Sequence, residues 1–91
     1  MAVLMTARLA GGTKELVDGM FAQLAGPQRS ARGFILHANG PVADGWRVTE
    51  VWDSQDDFEA WFETYVKPAL PQGAPRPSIT FDELNEVLLA G

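Results

Sequence analysis

The sequence predicts an α+β fold with the order strand–helix–strand–strand–helix–strand, in a domain that uses a second copy of itself to complete its core. Three observations carry that prediction. The chain has 91 residues and no cysteine, so it makes one domain (1–91) without disulfide support. Hydrophobic residues form 46% of it, with three Trp and five Phe, and a chain of this length buries only about 60–65% of its unfolded surface. Finally, strand-like and helix-like hydropathy periods alternate along the chain in the order given.

Residues 2–9 are a short apolar run closed by Gly11-Gly12, which suits a strand. Val3, Met5 and Leu9 lie on one parity and Leu4 on the other, so both faces are expected to be buried. Thr13 reads as an N-cap, and behind it Leu16, Val17, Met20, Phe21 and Leu24 recur at helical spacing until Gly26-Pro27. The predicted helix is 13–25. Gly19 inside it costs about 1 kcal/mol, which points to close packing there.

Residues 33–38 and 46–52 predict a hairpin around Asn39-Gly40-Pro41 and Asp44-Gly45. In the second strand Trp46, Val48, Glu50 and Trp52 share one face and Arg47, Thr49, Val51 and Asp53 the other. Parity alone does not say which face meets the helices. Ser54-Gln55-Asp56-Asp57 is a capping box, and Asp53, Asp56, Asp57 and Glu59 crowd the positive end of the helix it opens. Phe58, Trp61, Phe62, Tyr65, Val66 and Ala69 draw its apolar stripe, and Pro68 ends or kinks it, for a helix over 54–67. Residues 71–78 are too rich in proline for regular structure. Residues 79–89 fit either a strand or, from Asp82, a short helix. A strand is preferred, since the sheet otherwise has only three.

Charge and residue types narrow the chemistry. The net charge is −5, the pI is about 4.6, and the seven basic residues are scattered. No nucleic acid or anionic membrane is expected as a partner. No apolar run approaches the roughly 20 residues of a membrane span. Residues 1–5 lack the basic region and cleavage site of a signal peptide, so a cytoplasmic location is expected. With no cysteine and one histidine, His37, thiolate sites and multi-histidine metal sites within the chain are excluded, and no metal or cofactor is expected. Ser54 is committed to its cap, Ser30 and Ser78 sit in loops, and no glycine-rich phosphate loop follows a strand.

The stretch 33–70 carries a more specific pattern. Gly45-Trp46-Arg47-Val48 and Glu50-Val51-Trp52-Asp53-Ser54, feeding Phe58 and Phe62, resemble the antibiotic-biosynthesis-monooxygenase-like group of dimeric α/β barrels. The resemblance implies a ferredoxin-like βαββαβ monomer, an antiparallel sheet with two helices on one face, and a homodimer in which two four-stranded sheets face each other. It implies a cofactor-independent monooxygenase, or a related cyclase or isomerase, acting on a bulky aromatic or polyketide-like small molecule. The alternative is a non-catalytic dimeric ligand-binding or accessory protein. The haem-degrading branch of the group carries an Asn on the first strand and a haem-ligating His on the second helix. Met5-Thr6-Ala7-Arg8 has no such Asn and Trp61-Phe62-Glu63 no such His, leaving only Trp52 as a match. Haem degradation is not expected.

Histidine is the side-chain type that titrates nearest neutrality, which makes His37 the candidate general base, toward an acidic phenol or an enolisable carbon. Its structural alternative is an interior histidine bonded to a polar neighbour. Glu50, between Val48 and Trp52 on an apolar face, is the second proton-transfer candidate, or else an ion-pair partner of Arg8, Arg32 or the region of Arg47. Trp46, Trp52, Trp61 and Tyr65 line an aromatic ligand pocket or simply the core, and Arg47 places an anion or is solvated.

Overall fold

The computed structural model describes residues 1–73 and 76–91. Its elements are β1 (Val3–Ala10), α1 (Lys14–Arg29), β2 (Phe34–Val42), β3 (Gly45–Trp52), α2 (Gln55–Trp61) and β4 (Ser78–Glu83). Past Trp61 the second helix runs on through a π-helical turn (Phe62–Val66) into a last short turn, α3 (Lys67–Ala69). The sheet has the order β2-β3-β1-β4 and every neighbouring pair is antiparallel. This is the predicted ferredoxin-like arrangement, with both helices on one face.

The caps behave as their residue types require. The Leu16 amide donates to Thr13 Oγ1 at 3.2 Å and the Asp57 amide to Ser54 Oγ at 3.1 Å. The helix-facing side of the sheet carries Val3, Met5, Ala7, Phe34, Val48 and Trp52. With Phe58 and Trp61 of α2 these residues make the core. Trp52 is wholly buried at its centre, edge-on to Phe34 and Phe58 at ring distances of 5.4 and 5.8 Å. No helix among the described residues is long and apolar enough to cross a membrane.

Three boundaries and one packing expectation differ from the sequence reading. The helix α1 does not stop at Gly26-Pro27 but continues to Arg29. Proline removes one N–H near the helix end, and the next residue, Gln28, is held inside the protein by a hydrogen bond to Glu50 that compensates. The hairpin is tighter, because Asn39, Gly40 and Pro41 stay in β2 and only Ala43-Asp44 turn. Pro41 is tolerated because β2 is an edge strand. Pro68 does not end the second helix. Its missing N–H coincides with a widened turn in which the Lys67 amide reaches back to the Phe62 carbonyl, and the helix closes at Ala69. Gly19 marks no close contact, since a β-carbon there would meet nothing within 4 Å.

The final strand forms at 78–83, and beyond it no helix follows. The predicted extended link over 71–78 lies partly outside the described residues. The opposite sheet face carries Leu4, Thr6, Arg8, Leu36, Ala38, Arg47, Thr49, Val51, Thr80 and Asp82 by register. It is thus less apolar than expected: small and uncharged in the middle, with arginines toward one end.

Candidate functional site

Register assembles the site. Glu50 on β3 stands between Met5 of β1 and His37 of β2, and all three side chains point toward the helices. Glu50 is buried at 5% exposure in otherwise apolar surroundings, a position that a carboxylate keeps only when its oxygens are satisfied. Three donors satisfy it. Trp52 Nε1–H reaches Oε1 at 2.9 Å, while Gln28 Nε2 and His37 Nδ1 each reach Oε2 at 2.6 Å. The sequence alternatives of an arginine partner are corrected by this geometry: the neighbour of Glu50 is His37, and Arg32 instead approaches Asp57 at 3.8 Å.

The outer nitrogen of His37, Nε2, lies 2.9 Å from Asn39 Nδ2, and Asn39 Oδ1 accepts from Trp46 Nε1–H at 2.9 Å. Phe21 of α1 stacks on the imidazole with centroids 4.6 Å apart. The network therefore runs Trp52–Glu50–His37–Asn39–Trp46, from the core to the exposed side of β2 and β3.

Against the inner end of this network lies a half-open cavity of about 100 Å³ between α1, the sheet and the second helix. Its walls are apolar, built by residues such as Val17, Phe21, Leu24, Val48, Trp61 and Phe62. Among the described residues, Gln28, His37 and Glu50 supply the polar and ionisable groups of a lining otherwise made of apolar and aromatic side chains. A few convergent polar groups in an apolar concavity is the usual composition of a small-molecule site.

Of the residues singled out by sequence, the structure brings His37, Glu50 and Trp61 to the cavity. Trp52 is not on its wall but bonds Glu50 from behind. Trp46 is at the outer end of the network, away from the cavity. Tyr65 is 46% exposed and stacks on Trp61 at 4.9 Å instead of lining the space. Arg47 projects from the opposite sheet face and joins none of these groups. Two members were missed. Gln28 continues the apolar stripe of Val17, Phe21 and Leu24 at helical spacing, so a polar residue standing on that stripe was the available signal. Asn39 shares the parity of His37, a signal hidden by reading 39–41 as a turn.

No protein-family model matches the chain, and no curated protein matches it in sequence. Solved structures do match it. ActVA-Orf6, a monooxygenase of Streptomyces coelicolor solved with nanaomycin D, is 17% identical over 99% of this chain and 92% of its own, with a TM-score of 0.67. SnoaB, a cofactor-independent oxygenase from Streptomyces nogalater, is 15% identical over 96% of this chain and 95% of its own, at 0.64. The haem degrader MhuD from Mycobacterium tuberculosis, with two haems in its active site, is 18% identical over 97% and 99%, at 0.63.

The haem of that last protein does not fit the residues here. Both nitrogens of His37, the sole histidine, are engaged by Glu50 and Asn39, and no histidine stands on the second helix. At these identities the likeness concerns architecture, and it is an architecture matched over nearly the whole chain: the protein has the ferredoxin-like fold of the antibiotic-biosynthesis-monooxygenase-type structures.

Proposed function

We propose that this chain is a member of the antibiotic-biosynthesis-monooxygenase-like group that performs proton-transfer chemistry on a small aromatic or polyketide-like molecule, as a cofactor-free oxygenase or a related isomerase or cyclase. The observation that carries the reading is a carboxylate and an imidazole, Glu50 and His37, bonded at 2.6 Å and buried against an apolar cavity. Such a pair exchanges a proton with a ligand seated against the apolar walls. Loss of a phenolic or enolisable proton leaves an electron-rich anion, the form that reacts with dioxygen. Return of the proton at another carbon makes the same site an isomerase. The cofactor-independent SnoaB and the ligand-bound ActVA-Orf6 support the reading by fold.

The partner in this reading is a second copy of the chain, in the cytoplasm, docked on the sheet face away from the helices. Leu36 there is 37% exposed, and Arg8 and Arg47 lie directly opposite each other on neighbouring strands. Like charges so placed are unfavourable without a countercharge. A two-fold partner brings Asp82, near the other end of the same face, toward them.

The test pairs binding with turnover. Planar phenolic ligands titrated into the protein are expected to quench the tryptophan emission, because Trp61 lines the cavity. Glu50→Gln and His37→Ala are expected to keep that binding and to lose oxygen uptake or isomerisation by about 10²–10⁴-fold. Binding with no turnover of any ligand favours the alternative, a non-catalytic ligand-binding module. Unchanged turnover in both variants would remove the pair from the mechanism.

A further inference from the structure

The hydrogen-bond chain on the outer side of His37 determines where its proton sits. An indole N–H only donates, so Trp46 requires the oxygen of the Asn39 amide to face it at 2.9 Å. The amide is thereby oriented, and its Nδ2–H₂ must point at His37 Nε2, also at 2.9 Å. A nitrogen that receives a donor carries no proton, so the neutral ring holds its proton on Nδ1. Nδ1–H then donates to Glu50 Oε2 at 2.6 Å. The same tautomer is selected from both ends, by an amide on one side and a carboxylate on the other. Gln28 donates to the same Oε2, which leaves that oxygen an acceptor to both neighbours.

We infer that Trp46 and Asn39 are positioning residues that close a proton relay between the exposed end of β2 and the cavity. Trp46 and Asn39 do not line the cavity; they act through His37. When the Asn39 amide swings away, Nε2 takes a proton from water, Nδ1–H passes to Glu50 Oε2, and the ring is left with its proton on Nε2. No proton is gained or lost along the way: one enters at Nε2 and one arrives at Glu50. The reset is the reverse transfer: Glu50 passes a proton taken from the ligand to the bare Nδ1, the Nε2 proton leaves to water, and the Asn39 amide, drawn by its Trp46 bond, closes again on the bare Nε2. With the relay closed, a proton that Glu50 has taken from a ligand meets Nδ1–H, not a free lone pair, and has no exit through the ring. This rests on the proposed function and deepens it by naming Glu50 as the group that exchanges a proton with the ligand and His37 as its link to water.

The test is independent of turnover, because the chain contains a single histidine and its ring nitrogens need no assignment by mutation. Nitrogen-15 spectra of the wild-type protein at neutral pH are expected to show a protonated Nδ1 and a bare Nε2. Exchange of the Nδ1 proton with water is expected to be slow, and Asn39→Ala is expected to speed it by roughly tenfold, the factor that loss of one ordinary hydrogen bond gives. Trp46→Phe is the second variant, expected to act the same way through release of the amide. Trp52 Nε1–H, bound to the other oxygen of Glu50, is the internal control and is expected to exchange at the wild-type rate in both. A wild-type ring protonated on Nε2 overturns the inference. So does unchanged Nδ1–H exchange in both variants, or an equal acceleration of Nδ1–H and Trp52 Nε1–H, which reports general loosening. Accelerated Nδ1–H exchange in a protein that turns over no ligand leaves the relay standing and removes the proposed enzymatic reading.

Discussion

Glu50 concentrates the residue-scale consequences, because three donors converge on its carboxylate in a buried position. Replacement by leucine leaves Gln28 Nε2, His37 Nδ1 and Trp52 Nε1 without an acceptor. At about 1–3 kcal/mol for each buried group left unpaired, Glu50→Leu is expected to lower stability by about 3 kcal/mol or more. Glu50→Gln keeps the shape and one oxygen, and is expected to lower it by clearly less. Urea denaturation of the two variants checks the order, and equal losses would contradict the acceptor role. Trp52→Ala is expected to lower stability by about 3–5 kcal/mol, since it empties the centre of the core. Glycine matters at one residue in particular. At Gly45, which closes the hairpin, a β-carbon would overlap the Leu9 carbonyl oxygen, so alanine there must displace β1.

At the scale of elements, the second helix was the best marked in sequence, and the last segment, 79–89, the least. Ser54 and its acids announce α2, and Ser54→Ala is expected to cost about 1 kcal/mol in a thermal or urea melt. In α1, Gly19 faces open space, so Gly19→Ala is expected to raise stability by about 0.5–1 kcal/mol; a loss would mean that a packing partner covers that face. The end of α1 was misjudged because Gly26-Pro27 is a local stop signal, whereas the bond that carries the helix past it, Gln28 to Glu50, spans 22 residues. The same asymmetry explains the hairpin. Asn39-Gly40-Pro41 favours a turn locally, but pairing of Asn39 with Val48 and Pro41 with Trp46 keeps it in the strand.

For the molecule as a whole, the sheet is covered on one face by helices, and its other face exposes Leu36 toward one end and carries the Arg8–Arg47 pair toward the other. Light scattering on a sizing column is expected to give twice the chain mass at micromolar concentration, and a stable monomer would refute the proposed partner. The cavity of about 100 Å³ is smaller than the roughly 300–1,000 Å³ of most ligand sites. α1 forms one wall with Val17, Met20, Phe21 and Leu24, and Phe21 is itself 36% exposed. A ligand larger than one ring is therefore expected to displace α1, seen as amide shifts along Lys14–Arg29 with the sheet unmoved.

By itself the sequence determined the element order, both N-caps and the candidacy of His37 and Glu50. These are properties of local spacing and composition, in which each residue acts on neighbours a few positions away. Only the tertiary structure decided that Glu50 pairs with His37 and not with an arginine, that Arg47 leaves the site while Gln28 and Asn39 enter it, and which sheet face meets the helices. The physical reason is that strand register and a helix continued past a proline bring together groups 13 and 22 residues apart. Hydrogen-bond geometry is set at that distance, where alternation and capping carry no information.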